Sequence, residues 1–207
     1  MGNFFSLDGP LTKYGNLLAD FTLLSLLWVV FSIPLVTIGA ATTALFYVAT
    51  RRISDIEGHL FRDFWSSFLL NFRQSTICWL IVLLILQILF INIINIGILG
   101  SLSNIGLLIQ LCIALEIYII SIYVFPIIAR FKLSLWYVLK NAFFIANRHF
   151  LTTLTLLVVG AGVILLSLLT VLFTFVAMGV YAFIASHLLM RVFRRYLPNM
   201  DRDEELE

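Results

Sequence analysis

Charge is scarce in this chain of 207 residues, in which Asp, Glu, Lys and Arg together make up 12%. A soluble globular domain carries about twice that fraction. Hydrophobic residues make up 62% of the chain, and the mean hydropathy is +1.08. This composition excludes an ordinary soluble domain and predicts a protein that sits in a lipid bilayer. The formal net charge of +2 is too small to indicate a nucleic-acid partner.

Residues that carry catalysis or bind metals are also scarce. The three histidines, His59, His149 and His187, are far apart in the sequence and lack the spacing of metal ligands. The two cysteines, Cys78 and Cys112, fall in different apolar runs, which favours packing roles over a disulfide or a metal site. The chain also lacks a glycine-rich phosphate loop. We therefore predict a protein that is not an enzyme and has no catalytic, metal-binding or cofactor-binding residues.

Long apolar runs dominate what is present. Among Asp, Glu, Lys and Arg, the run over 74–129 contains one residue, Glu116. As a single helix this run would measure about 84 Å, far more than the ~30 Å hydrocarbon core of a bilayer. It must therefore turn back on itself, and Gly100–Asn104 is the candidate turn within it. The run predicts a transmembrane hairpin with spans near 77–99 and 105–128.

Further apolar runs extend this pattern to a polytopic bundle. The first predicted span runs over 15–36 and is broken at Pro34, because proline lacks a backbone donor. A small-residue helix over 35–48 follows, and 151–190 predicts a second hairpin that folds back near 169–175. The predicted fold class is all-α, a transmembrane helical bundle of five to six spans. The number depends on whether the 35–48 segment crosses the membrane.

Two amphipathic stretches precede the two hairpins, at about 58–73 and 133–148. Each has aromatic and aliphatic residues on one helical face and charged or amide residues on the other. Such helices lie along the membrane interface or dock on a partner protein, and both interpretations remain open. The aromatic residues predicted to form the docking face are Phe61, Phe64, Trp65, Phe68, Phe72, Trp136 and Phe143.

The order of these segments predicts one integral membrane domain over 1–207. It consists of an N-terminal span with its proline-broken helix (1–52), an amphipathic helix plus hairpin (58–128), a second such unit (133–195) and an acidic tail (196–207). An offset of 76 residues places Asn71 on Asn147 and Leu80 on Leu156, which indicates an internal duplication.

The basic residues predict the orientation of this domain. They are concentrated in 51–73, 130–148 and 191–195, where hairpins begin and end, whereas the Gly100–Asn104 turn contains none. The positive-inside rule therefore predicts that the amphipathic helices and the C-terminus are cytoplasmic. The side of the N-terminus follows from the number of spans and stays open.

Glu116 is the one formally charged residue near the middle of a predicted hairpin span. An isolated charge at that depth is costly, so its side chain should face protein or water. Plausible hydrogen-bond partners are Gln87, Asn92 and Asn95 on the preceding span, and Gln110 on its own span. Two interpretations remain open. Glu116 contacts a transported proton, ion or substrate, or its carboxyl group holds helices together.

Several motifs resemble one known family. They are the run Ser32-Ile33-Pro34-Leu35-Val36-Thr37-Ile38-Gly39-Ala40-Ala41-Thr42-Thr43-Ala44-Leu45, then Asn71-Phe72-Arg73-Gln74, Phe125-Pro126 and Lys140-Asn141-Ala142. Together they resemble the YesL-like family of bacterial integral membrane proteins, and the resemblance covers essentially the whole chain. Genes of that family tend to lie beside carbohydrate ABC importers, solute-binding proteins and glycoside hydrolases.

This resemblance implies an accessory role in oligosaccharide uptake across a bacterial plasma membrane. The implied partners are the bilayer, ABC permease and ATPase subunits or another membrane protein, and an oligosaccharide as a further ligand. The alternative is a self-sufficient transporter or channel for a small molecule or ion that uses Glu116.

Overall fold

The structure, a computed structural model, describes residues 10–54, 58–96 and 103–196. In these ranges the chain is helical and contains no strand, which confirms the predicted all-α class. A 3₁₀ turn over Leu35–Thr37 connects the first two helices. The α-helices are α1 (Pro10–Ser32), α2 (Ile38–Ile53), α3 (Leu60–Ile94), α4 (Ser103–Arg130), α5 (Leu135–Arg148), α6 (Phe150–Leu169) and α7 (Val171–Tyr196).

Within the described ranges, four helices are long and apolar enough to cross a membrane: α3, α4, α6 and the Phe175–Arg195 part of α7. The apolar part of α1, Leu17–Ser32, is shorter. The predicted break at Pro34 is confirmed, since α1 ends at Ser32 and α2 begins after the 3₁₀ turn. Whether the bundle has five or six spans depends on whether α2 crosses the membrane. At roughly 24 Å it is shorter than the hydrocarbon core.

Helix α2 forms the centre of the core. It contacts α1, α3, α4 and α7, and most of its residues between Gly39 and Ala49 are buried. Small residues allow these close contacts between helices. A Cβ atom at Gly39 would lie 2.5 Å from the backbone oxygen of Ser75 and 2.7 Å from Cβ of Trp79. Only glycine fits at this crossing.

The first amphipathic stretch is helical, but it is not a separate helix. Residues 60–73 continue without a break into the first hairpin span, so that α3 has 35 residues and measures roughly 52 Å. No glycine or proline occurs between Leu60 and Ile94 to interrupt it. The structure here differs from the predicted surface helix, because the 60–73 segment packs along α2 rather than lying apart from the bundle.

The second amphipathic stretch is the separate 14-residue helix α5. It buries Val138, Ala142, Ile145 and Ala146 and contacts α4 and α6. In the alignment with an offset of 76 residues, the single helix α3 therefore corresponds to α5 and α6 together. The break between α5 and α6 is at His149, which aligns with Arg73.

Both predicted hairpins are present. Helices α3 and α4 pack together, and the rings of Trp79 and Phe125 lie 6.3 Å apart. The predicted turn Gly100–Asn104 falls mostly outside the described residues. Helices α6 and α7 pack on each other, with Thr170 as the one non-helical residue between them. This confirms the predicted fold-back near 169–175.

The ends of several helices meet at what we call the basic end, defined by Arg51, Arg52, Arg130, Arg194 and Arg195. Ser54 Oγ lies 3.9 Å from the sulfur of Met190, and the rings of Phe131 and Phe193 are 5.7 Å apart. These contacts bring together the C-terminal ends of α2, α4 and α7. The structure thus gathers basic residues from three helices at one end of the bundle.

Candidate functional site

Glu116 lies near the middle of α4 and is half-buried. Its Oε1 accepts a hydrogen bond of 2.8 Å from Nδ2 of Asn147, in the last turn of α5. The same amide nitrogen donates to the backbone oxygen of Phe143, at 3.1 Å, which fixes its direction. The carboxyl group of Glu116 therefore joins the middle of one predicted span to the end of the neighbouring amphipathic helix.

The partners predicted for Glu116 on α3 are wrong. Asn95 donates instead to the backbone oxygen of Ile91 in its own helix, at 2.8 Å, and both Gln87 and Asn92 are exposed. Only 11% of the most apolar stretch of α3 is buried. This part of the helix therefore has few contacts with the rest of the protein. On α4 itself, Oε1 of Gln110 has no hydrogen-bond partner among the described residues.

Asn147 was not predicted as a partner because an amphipathic helix placed along the membrane surface would hold it away from Glu116. In the sequence it is one of several polar residues on α5. The available signal was the short link between Arg130 and Leu135. So short a link leaves α5 close to the end of α4, and the four residues Val138, Ala142, Ile145 and Ala146 form an apolar stripe that packs inward.

The predicted docking face is only partly available. Phe61, Trp65, Phe72, Trp136 and Phe143 are exposed. Phe64 and Phe68, in contrast, are 0% and 6% exposed, so their assignment to a docking face is wrong. Their rings pack around Phe31 of α1, with centroids 5.4 and 5.1 Å from its ring. The apolar face of residues 60–73 is wide enough to contact the core on one side and remain exposed on the other.

Two ion pairs hold the end of α2 at the basic end. Arg52 Nε lies 3.3 Å from Oδ2 of Asp20 on α1, and Arg51 Nη1 lies 3.7 Å from Oδ1 of Asp63 on α3. Both pairs are partly exposed to solvent, and each such pair contributes little to the free energy of unfolding. They position α2 between its two neighbours and leave these carboxylates committed to arginines.

Thr153 connects three helices near the start of α6. Its hydroxyl oxygen lies 2.8 Å from the Tyr123 hydroxyl of α4, and it donates to the backbone oxygen of Ala146 in α5, at 2.8 Å. A second contact of 3.2 Å reaches the backbone oxygen of His149. This contact network, which the sequence did not indicate, fixes the bend between α5 and α6.

His149 occupies that bend. Burial lowers the pKa of its imidazole, and the positive charges of Arg195 and Arg148 lower it further. The neutral ring is therefore favoured in the folded protein. Among the described residues, no group of three or more His, Cys, Asp or Glu side chains could hold a metal ion.

A cavity of about 240 Å³ lies between α2, α4, α6 and α7. Most of its lining is apolar, and Glu116 does not line it. Four lining residues carry hydroxyl groups: Thr42, Ser121, Tyr118 and Tyr181. Thr42 and Ser121 donate to backbone oxygens of their own helices, at 2.7 and 2.8 Å. The cavity therefore offers shape and apolar contact, with few polar groups.

Comparison with curated proteins found no match, and comparison with solved structures found none either. A family model does match part of the chain. The matched part begins in α1, includes all of α2 and ends near the end of α3. Residues 21–93 match the family described as "Protein of unknown function, DUF624".

Proposed function

We propose that this protein is a non-enzymatic subunit or accessory protein of a carbohydrate ABC import system. It would be a multi-pass protein of a bacterial plasma membrane, with the basic end and the C-terminus in the cytoplasm. Two findings support the proposal. The chain resembles the YesL-like family, and its DUF624 match, to the family that includes YesL, contains the Ser32–Leu45 motif that carries this resemblance best.

The exposed half of the α3–α4 hairpin is the observation that carries the proposal. Leu84 and Phe90 on α3 and Leu108 and Leu115 on α4 are all exposed. Of the most apolar stretch of each spanning helix, 11% is buried in α3 and 33% in α4, against 17% in α6 and 44% in α7. An apolar surface of this extent must be covered by lipid or by another membrane protein. We assign it to the permease subunits.

The exposed aromatic side chains provide a second surface for the same assembly. Phe61 and Trp65 lie on the part of α3 that packs beside α2, and Trp136 lies near the start of α5. Aromatic residues are enriched in protein interfaces because they bury a large area with few rotamers to fix. With the basic end in the cytoplasm, these residues face the side on which ATPase subunits bind.

Site-specific photo-crosslinking in native membranes tests this assignment. A photoreactive residue at Leu84 or Leu108 should crosslink to a permease subunit, and one at Phe61 or Trp136 to an ATPase subunit. Val158 of α6, which is equally exposed, is the matched control and should crosslink to neither. If the hairpin positions yield no permease or ATPase peptide by mass spectrometry, the proposal fails.

The orientation has its own test. Lys132 is exposed in the link between α4 and α5. A single cysteine at this position, in a chain with Cys78→Ala and Cys112→Ser, should react with an impermeant thiol reagent only after the membrane is permeabilised. Reaction in intact cells would place the basic end outside and contradict the proposed orientation.

A self-sufficient transporter or channel is the second candidate, favoured by the half-buried carboxyl group of Glu116 within α4. Purified protein in liposomes would then move a small molecule or ion without other subunits. Glu116→Gln should abolish that flux, because the amide cannot carry a charge or exchange a proton. A flux that is unchanged in this variant would exclude Glu116 from the mechanism.

A further inference from the structure

We infer that the cavity between α2, α4, α6 and α7 binds one acyl chain of a bilayer lipid. The inference requires that the chain lies in a membrane, and it does not depend on a role in carbohydrate import. Three features of the cavity support it: the chemistry of its walls, its size and its position along the spanning helices.

Most of the wall of the cavity is apolar. Phe46, Ile122 and Phe125 line the cavity and are buried. The Thr42 hydroxyl donates to Ile38 O and accepts a hydrogen bond of 3.0 Å from Nε1 of Trp28. The remaining surface therefore resembles hydrocarbon, and it offers water few partners.

The size of the cavity is sufficient for a hydrocarbon ligand. An engineered apolar cavity of roughly 150 Å³ stays dry and binds benzene. The present cavity is larger, at about 240 Å³. Left empty, its lining would lose dispersion contacts over the whole wall. A flexible hydrocarbon chain restores those contacts without displacing ordered water.

The position of the cavity along the spanning helices gives an acyl chain of the bilayer access to it. Tyr118 and Gly160 lie near the middles of α4 and α6, two helices that are long and apolar enough to cross a membrane. Ile164 and Tyr118 at the wall are exposed, whereas Phe46 and Phe125 are 4% and 6% exposed. The cavity thus has a lateral opening and a deep end, which fits a chain that enters from the surrounding lipid.

Photolabelling with a lipid tests the inference. The protein is placed in vesicles of phosphatidylethanolamine and phosphatidylglycerol that contain a phospholipid with a diazirine midway along one acyl chain. After illumination, labelled residues are mapped by mass spectrometry. We expect label on Phe46 and Phe125, which bulk lipid at the outer surface does not reach, together with label on outward-facing residues such as Val158.

Two glycines of α6 provide matched variants. A Cβ atom at Gly160 would lie 3.4 Å from Cε2 of Tyr181 and 3.8 Å from the Tyr118 hydroxyl oxygen, whereas one at Gly162 would meet nothing within 4 Å. Gly160→Leu therefore fills the cavity, and Gly162→Leu adds the same volume outside it. Gly160→Leu should lower labelling of Phe46 and Phe125 by about tenfold relative to Val158, because a side chain and an acyl chain cannot share the space. Gly162→Leu should leave the ratio unchanged.

Val163→Phe adds volume from the same wall and serves if Gly160→Leu does not fold. Tyr118→Phe should leave the ratio unchanged, because an acyl chain needs no hydroxyl group. Wild-type protein without label on Phe46 and Phe125, or equal labelling in the filled and unfilled variants, overturns the inference. Loss of labelling in Tyr118→Phe also overturns it, because the occupant would then need a polar contact.

Discussion

The hydroxyl oxygens of Thr43 and Ser75 lie 2.8 Å apart, and both side chains are buried where α2 crosses α3. One turn away on α2, the missing side chain of Gly39 lets the backbone of α3 approach. The contact thus combines close backbone approach with one interhelical hydrogen bond. Both features stabilise the contact between helices in a membrane, where the hydrophobic effect does not drive their association.

Gly39→Ala should destabilise the protein. The added Cβ atom would lie 2.5 Å from the backbone oxygen of Ser75, and backbone cannot move aside as a flexible side chain can. We expect a loss of about 1–3 kcal/mol in the free energy of unfolding, as for other overpacked sites. Thermal unfolding in detergent micelles measures it. Gly162→Ala is the control and should be neutral or stabilising, since nothing lies within 4 Å of that position and alanine favours helix.

The hydrogen bond at the same crossing is tested separately by a double-mutant cycle on Thr43→Val and Ser75→Ala. Thr43→Val removes the Thr43 partner of the buried Ser75 hydroxyl group. In Ser75→Ala the Thr43 hydroxyl group loses this contact but keeps its hydrogen bond of 3.1 Å to the backbone oxygen of Gly39. The coupling energy should be about 0.5–1.5 kcal/mol, the range found for hydrogen bonds between membrane helices. Additive effects of the two substitutions would show that the two hydroxyl groups do not interact.

Phe64 is a core residue and Phe61 a surface residue of the same helix, α3. Phe64 is 0% exposed and Phe61 is 57% exposed. Phe64→Ala should cost about 3–5 kcal/mol in the free energy of unfolding, because it leaves a cavity beside Phe31. Phe61→Ala should leave the free energy of unfolding nearly unchanged and reduce only the proposed crosslinking between a photoreactive residue at Trp136 and an ATPase subunit. Equal destabilisation by the two variants would contradict the packing described for α3.

The helices could be predicted well because their signals are local. Long apolar runs and the break at Pro34 follow from backbone chemistry in lipid. The boundary at Thr170 also followed, because a run of forty uncharged residues over 151–190 is too long for one span. Such features need no knowledge of which helix packs on which.

The contacts between helices could not be predicted in the same way. The 60–73 face was wide enough to fit a membrane surface, a partner or the protein's own core, and Phe64 and Phe68 contact the core because α2 and the end of α1 cover them. Glu116 likewise needed a donor, and the sequence offers amides on α3, α4 and α5. The packing of α5 against α4 selects Asn147, and this packing is a property of the whole bundle.

Variants of Asn147 and Glu116 test whether the carboxyl group of Glu116 has a structural role or a role in transport. Glu116→Gln keeps an oxygen that can accept from Asn147, so the free energy of unfolding should change little. Asn147→Leu removes the donor and should cost about 0.5–1.5 kcal/mol, the net contribution of one hydrogen bond, because Asn147 is exposed and Glu116 only half-buried. If Glu116→Gln is as destabilising as Asn147→Leu, the charge rather than the hydrogen bond stabilises the contact.

His149 should make stability depend on pH. Its folded-state pKa is lowered by burial and by the charges of Arg195 and Arg148, so the unfolded chain binds a proton more readily than the folded protein. Stability should therefore be fully present above the ordinary value of about 6.5 and should fall as the pH drops below it. Unfolding in detergent between pH 8 and pH 5 (roughly the window in which histidine titrates) measures the loss. His149→Gln, which cannot be protonated, should reduce this dependence, and an identical pH profile for the variant would show that another group titrates.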